Sequence, residues 1–378
     1  MQDSPPRHKR FPRRNGWGAL LLSFAAVAAL VWWSLPAKRN QPQPADQEAA
    51  TQPRLTSQAT LSAGVVQLMV TGNAAVARGG ADDLRRARSA FEQAIERDER
   101  YAPAHAGLAQ ALVQLAAGGA ERAEQVLPLA VTHADRAIEL DPAEALGWQA
   151  LAQAEVQWTR DWPRAEMHYR RAVALAPRTE APARLLAELL VATRRGEEAV
   201  AQGLSALELN PTSPALQEAI GLIYRFAGRG AEALPFFGKA LELDPQGSTT
   251  VVWQAVTLAD LGRLDEAMAA ALRVPADAGT PTWVVGYVHA LAGRRREAAD
   301  VFNGLAVRAT RQYVPAVQFA YLSAALGERG QALDWIETGV REHSPWMHML
   351  AVDPSLGRLR DEPRFKAALT AMKLDGER

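Results

Sequence analysis

The stretch GRGAEAL, residues 228–234, recurs with small variations along the second half of this chain. The variants are RRGEEAV at 194–200, GRLDEAM at 262–268, GRRREAA at 293–299 and GERGQAL at 327–333. The alanine that all five copies share falls at Ala199, Ala233, Ala267, Ala298 and Ala332, with spacings of 34, 34, 31 and 34 residues. A period of this size indicates a repeat architecture built from one supersecondary unit.

A proline closes each unit. The phrases VALAP, LELNP and LELDP end at Pro177, Pro211 and Pro245, again 34 residues apart, and IELDP ends at Pro142. Each unit is predicted to contain two helices, because glycine permits a tight turn before the second helix and proline stops that helix. The alanine lets the two helices approach, and a large residue four positions later fills the groove, as in the pair Ala233 and Phe237. One such hairpin cannot bury its apolar face alone, so neighbouring units must stack.

The first helices share a pattern of large, apolar, small and apolar positions. The pattern occurs as Trp148, Leu151 and Ala152 in one unit and as Ile220, Gly221 and Tyr224 in a later one. Together with the alanine and the closing proline, it resembles the tetratricopeptide repeat (TPR) over most of residues 80–340. This resemblance implies an all-α fold, a right-handed α-solenoid of helix–turn–helix repeats.

Three places depart from the period, and local bends or looser stacking are expected there. About nine extra residues surround GGAERAEQV at 118–126, one extra residue lies near TRDW at 159–162, and the unit ending in LRVPADAG at 272–279 is short.

A narrower resemblance concerns the segments at residues 82–112, 161–177 and 344–369. They look like the TPR portion of bacterial one-component regulators, which combine a cytoplasmic winged-helix DNA-binding domain, one membrane helix and an external repeat domain. Only fifteen residues precede the apolar stretch, which is too few for a winged helix, so no DNA-binding domain is expected in this sequence. The resemblance therefore implies, as an alternative function, a sensory TPR domain without its output domain.

The apolar stretch from Gly16 to Leu35 has only two polar side chains, those of Ser23 and Ser34. As a helix, its 20 residues would extend about 30 Å, the thickness of a bilayer core. Five basic residues precede it and two follow it, which predicts a cytoplasmic N-terminus and an external C-terminal body. A cleaved leader is the alternative, but its apolar part is usually shorter and ends at a small-x-small site. We therefore expect a retained anchor.

Composition divides the chain further. Residues 1–15 form a basic tail, 36–60 a Pro- and Gln-rich linker, 61–344 the predicted TPR solenoid and 345–378 a C-terminal helical cap.

Residues 1–40 hold seven Lys or Arg against Asp3 alone, so the remainder of this neutral chain carries an acidic excess of six. An acidic body argues against a nucleic-acid ligand. The absence of cysteine excludes disulfides and thiolate chemistry.

No catalytic, cofactor or metal motif emerges, so the sequence predicts a non-enzyme without cofactor or small-molecule substrate. The histidines lack metal-site spacing, and His343 and His348 flank a predicted turn, which is a weak metal pair at best. The acidic pairs that open second helices, such as Glu197 and Glu198, suit the positive end of the helix dipole.

The remaining candidate is a binding surface. In TPR folds, positions five and nine of each first helix line a concave groove. Here the resemblance places Gln149, Gln153, Arg184, Glu188, Val252, Val256, Trp283, Tyr287, Val317 and Tyr321 at those positions. The strongest partner candidates are Trp283, Tyr287 and Tyr321, because aromatic side chains are favoured interface anchors, with Arg184 and Glu188 at the polar end. The alternative is that the aromatic side chains pack between repeats.

The sequence therefore predicts an adaptor or scaffold that binds a protein or peptide in this groove. Residues 16–35 would hold it in a bacterial inner membrane, with the solenoid in the periplasm.

Overall fold

The structure is a computed structural model that describes residues 63–274 and 282–376. The predicted basic tail, membrane segment and linker lie outside the described residues, as do residues 275–281. In the part of the chain that is described, none of the helices has the length and apolarity to cross a membrane.

The described residues form α-helices connected by short turns, without β-strands. The helices are α1 (Ala63–Arg78), α2 (Ala81–Arg97), α3 (Ala102–Ala117), α4 (Ala123–Leu140), α5 (Ala145–Ala154), α6 (Trp162–Leu175), α7 (Glu180–Ala192), α8 (Gly196–Leu209), α9 (Pro214–Phe226), α10 (Gly230–Leu243), α11 (Ser248–Asp260), α12 (Leu264–Ala271), α13 (Thr282–Leu291), α14 (Arg295–Ala309), α15 (Ala316–Leu326), α16 (Arg329–Arg341) and α17 (Pro363–Ala371). A π-helix, Glu155–Thr159, continues α5, and two 3₁₀ helices, Met347–Met349 and Pro354–Leu359, precede α17.

Consecutive helices pack as hairpins from α1 with α2 to α15 with α16, and each hairpin packs on the next. The odd-numbered helices form the inner layer. Ten of the 13 residues of α9 are buried, against four of the 14 residues of α10. The all-helical prediction and the stacked hairpins are thus confirmed for the described residues.

The glycines, prolines and large apolar residues that recur in the repeats have the predicted structural roles. Gly228, with φ 80°, ends the turn before α10, and Gly262 and Gly293 take the same left-handed backbone before α12 and α14. The second helices α6, α8 and α10 each end two residues before the proline that was expected to stop them. The side chain of Phe237 is fully buried and packs over Gly221, where an added Cβ would lie only 2.6 Å from the ring.

The single extra residue near TRDW adjoins the π-helix, whose hydrogen bonds join residues five apart rather than four. Immediately after it, Arg160 takes a left-handed backbone with φ 54°. Its guanidinium donates to the backbone oxygens of Val340 and, over 3.2 Å, Ala371. The residues that follow the π-helix therefore connect the middle of the chain to its C-terminal end.

The longer insertion lies at the same junction. Gly119, in the turn between α3 and α4, approaches Pro315, and Arg122 lies over the ring of Tyr313 with its guanidinium carbon 5.2 Å from the centroid. Further along, Trp162 donates its indole N–H to the oxygen of Met372 over 3.0 Å. The early hairpins thus contact the last ones, and the inner layer encloses a lumen.

Candidate functional site

Seven of the ten predicted inner positions line two cavities in this lumen, and Gln149, Val256 and Tyr287 line neither. Cavity 1, of about 650 Å³, is bordered by Gln153, Arg184 and Glu188. Cavity 2, of about 660 Å³, is bordered by Val252, Trp283, Val317 and Tyr321. Both volumes are in the range of ligand pockets, about 300–1,000 Å³.

Cavity 1 has a polar wall. Arg184 and Glu188 lie one turn apart on α7 and form an ion pair. Glu218 on α9 accepts a hydrogen bond from the hydroxyl of Thr250, and burial raises the pKa of Glu218 above its ordinary value. The wall therefore offers paired charges and hydroxyl groups, which suit hydrogen bonding to a polar ligand such as a peptide backbone.

The three predicted aromatic anchors form one cluster. Trp283, Tyr287 and Tyr321 are 4%, 2% and 2% exposed, and the rings of Trp283 and Tyr321 stack with centroids 5.2 Å apart. The hydroxyl of Tyr287 donates to Asp260, and that of Tyr321 donates to Asp353. Most of the surface of these three side chains is thus packed inside the protein, which favours the interpretation that they pack between repeats. Trp283 and Tyr321 also border cavity 2. Partner binding at these residues stays a prediction.

The C-terminal segment lies on the inner surface and was not predicted to do so. Asp353, 1% exposed, accepts hydrogen bonds from Arg225 over 3.3 Å, and Ser355 donates its hydroxyl to Asp260 over 2.9 Å. Arg225 is 1% exposed and also pairs with Asp260 over 2.8 Å. Burial opposes the charge of Arg225, but Asp353 and Asp260 outweigh it and raise its pKa.

Sequence reasoning missed this charge cluster, although one signal was present. Arg225 is a cation in the apolar run GLIYRF, residues 221–226, and such a residue needs an anionic partner when the helix is buried. Its partner Asp353 lies 128 residues later, beyond the repeats, and no periodicity connects the two.

The histidines are used for packing and hydrogen bonding. His343 approaches the backbone oxygen of Gln157 with its Nδ1, 2.8 Å away, and His348 stacks on Trp346 beside cavity 1. His105 and His133 place their Nδ1 atoms 3.0 Å apart. Within the described ranges there is no group of three or more His, Cys, Asp or Glu residues suited to a metal ion.

Comparison with known proteins gives the same fold. Residues 227–283 match the tetratricopeptide repeat family. No curated protein matches the chain. Among solved structures, the human IFIT1 dimer with m7Gppp-AAAA is 18% identical, covers 83% of this chain and 72% of its own, and has a TM-score of 0.57.

Two further structures are similar. A monomeric mutant of IFIT1 with m7Gppp-AAAA is 16% identical, with 82% and 71% coverage and a TM-score of 0.59. A thermophilic TPR protein of Thermus thermophilus is 20% identical over 51% of this chain and 98% of its own, with a TM-score of 0.45. The chain thus carries a tetratricopeptide repeat within an all-helical solenoid of the TPR kind.

Proposed function

We propose that this protein is a membrane-anchored TPR adaptor that binds a protein or peptide in its lumen. The observation that carries the proposal is that the inner-layer positions border two ligand-sized cavities. TPR proteins mediate protein–protein interaction, and concave solenoid surfaces are the usual place for it. The proposed role is non-catalytic and requires no cofactor.

Site-specific photo-crosslinking in intact cells tests the binding surface. A photoreactive amino acid at Gln246, an exposed residue beside cavity 1, should capture the partner. The same group at Lys239, exposed on the outer helix α10, is the matched control and should capture little. Equal capture at both positions, or capture at Lys239 alone, would place the partner on another face and contradict the proposal.

The membrane location is supported by the apolar stretch at residues 16–35 and its asymmetric basic flanks. We expect the full-length protein to stay in the pellet when membranes are washed with carbonate. A fusion of alkaline phosphatase to Arg378 should be active, because the heavier basic flank keeps the N-terminus in the cytoplasm. An N-terminus beginning at Ala29 or Lys38 would instead identify a cleaved leader, and an inactive fusion would reverse the topology.

The proposal does not include a nucleic-acid ligand, in contrast to the RNA present in the IFIT1 structures. The acidic excess of residues 41–378 supports this, because phosphate backbones favour basic surfaces. We expect no mobility shift of single-stranded RNA, with or without a 5′ cap, at physiological salt. A salt-dependent shift in the nanomolar range would require an RNA-binding role.

A further inference from the structure

Cavity 2 has an aromatic wall that remains partly open. Trp253, Trp283 and Tyr321 form its buried side, while Tyr313 and Trp346 are only partly buried. Exposed residues, including Ser248, Thr249 and Gln312, stand at its border. Solvent therefore reaches the cavity, and part of the surface of Tyr313 and of Trp346 stays uncovered, although Arg122 lies over one ring and His348 stacks on the other.

The charged residues that line this cavity all have the same sign. Two arginines and no carboxylate are among its described lining residues. Arg85 is already paired with Asp82 over 3.0 Å and Glu121 over 3.5 Å. Arg308 differs, because no carboxylate among the described residues forms an ion pair with it.

Two further observations show that the guanidinium of Arg308 is not satisfied by the described residues. Its Nε atom is buried and has no hydrogen-bond partner among the described residues. Burial lowers the pKa of its guanidinium, and no anion among the described residues offsets that effect. A partly buried cation without an anion is costly, so a ligand that supplies a carboxylate would be stabilised there.

A second unpartnered group lies on the same wall. Gln318 is 5% exposed, and its carboxamide oxygen has no hydrogen-bond partner in the described structure. Buried polar atoms are almost always hydrogen-bonded, so this oxygen needs an explanation. A backbone N–H of a bound peptide would satisfy it once the side chain rotates toward the cavity.

We propose that cavity 2 binds a peptide segment of the partner in which an aromatic residue stands next to an aspartate or glutamate. The aromatic side chain would lie against Tyr313 and Trp346, and the carboxylate would accept hydrogen bonds from Arg308. Gln318 would accept from the peptide backbone. This inference rests on the proposed function, since it names the chemistry of the peptide that the lumen receives.

Selection of random displayed peptides on the full-length protein tests the chemistry. The wild-type protein should enrich peptides with an aromatic residue beside an acidic one. The variant Arg308→Gln should keep the aromatic preference and lose the acidic one, while Arg308→Lys should retain part of it. The control Arg311→Gln removes an exposed arginine that does not border the cavity and should select as the wild type does.

A double-mutant cycle on the best peptide identifies the contact. Changing its acidic residue to the amide should weaken binding to the wild type about tenfold, as expected for a charge-assisted hydrogen bond, and should not change binding to Arg308→Gln. The same loss in both proteins would overturn the assignment of Arg308. Enriched peptides without an acidic preference would overturn this inference and leave peptide binding intact, whereas no enrichment at all would overturn both.

Discussion

Residues with a left-handed backbone separate the two helices of several repeats. Gly228, Gly262, Gly293 and Gly327 fill this position in four of them, with φ between 75° and 80°. In the repeat that starts with RRGEEAV, the same position is Arg194, with φ 65°. Since a side chain is strained in this region and glycine is not, this repeat carries a local cost that the others avoid.

We therefore expect Arg194→Gly to stabilise the protein by up to about 1 kcal/mol. Arg194 is exposed and no described ion pair depends on it, so little is lost with the side chain. The neighbouring Arg195 is the matched control, because its φ is −96° and it pairs with Glu166 and Glu198. Chemical unfolding should show a gain for Arg194→Gly and a loss for Arg195→Gly; a loss in both would contradict the strain argument.

His348 predicts a pH dependence. Burial lowers its pKa from 6.5 to about 4, so between these values the unfolded chain binds a proton that the folded chain does not. The free energy of unfolding should therefore fall as the pH drops from 6.5 toward 4, by at most about 3 kcal/mol from this residue. The side chain borders cavity 1, where water reduces the effect.

Urea unfolding of the wild type and of His348→Gln across this pH range measures the contribution. His133 and His343 also have lowered pKa values, mainly through burial, so the wild type should lose additional stability from them. The difference between wild type and variant isolates His348. If the two curves run parallel over the whole range, this histidine does not titrate as described.

At the scale of the element, a repeat is held together by one small residue that faces one large residue. In the hairpin of α9 and α10, Gly221 receives the ring of Phe237. The first hairpins use the same device, since Gly72 on α1 and Gly107 on α3 both approach the ring of Phe91. The distance between paired helices therefore depends on the absence of a side chain.

Gly221→Ala should destabilise the protein by about 1–3 kcal/mol, because the new Cβ would lie 2.6 Å from the ring of Phe237 and force the helices apart. Gly238→Ala, in α10 next to Phe237, is the control, since nothing lies within 4 Å of its added Cβ. That change should instead stabilise by about 0.5–1 kcal/mol, as alanine favours helices over glycine. Thermal unfolding compares the two variants. Equal changes in stability would show that helix propensity alone determines the effect of both substitutions.

At the scale of the whole molecule, the two insertions in the repeat pattern lie where the early hairpins contact the last ones. Arg160 follows the π-helix and reaches the last turns of α16 and α17. Lys373 returns a hydrogen bond to the backbone oxygen of Thr159 over 3.1 Å. This junction closes the lumen in which both cavities lie.

Arg160→Met keeps most of the volume of the side chain but removes its donors, so the oxygens of Val340 and Ala371 lose their contacts with Arg160. We expect a loss of about 2–4 kcal/mol and faster hydrogen exchange along α17 and the end of α16. Arg171→Met, at an exposed position of α6, is the control and should leave exchange unchanged. Unaltered protection of α17 in Arg160→Met would show that the junction does not depend on this residue.

Periodicity determined the hairpins and their turns. A repeat contacts mainly its neighbours. The structural roles of Ala233, Phe237 and Pro245 can therefore be predicted from about 34 residues of sequence. The resemblance to the TPR placed Gln153, Arg184 and Glu188 in a concave groove, and the structure has them at the border of cavity 1.

Only the tertiary structure decided how the lumen closes and what occupies its inner surface. Arg225 pairs with Asp353, 128 residues away, and Arg160 contacts Ala371, 211 residues away. Such contacts depend on the accumulated rotation of many stacked hairpins, to which each repeat adds a small angle that no local pattern encodes. The lining of cavity 2 likewise combines residues from distant repeats, such as Arg85 and Arg308, so the chemistry proposed for it could not be predicted from one repeat.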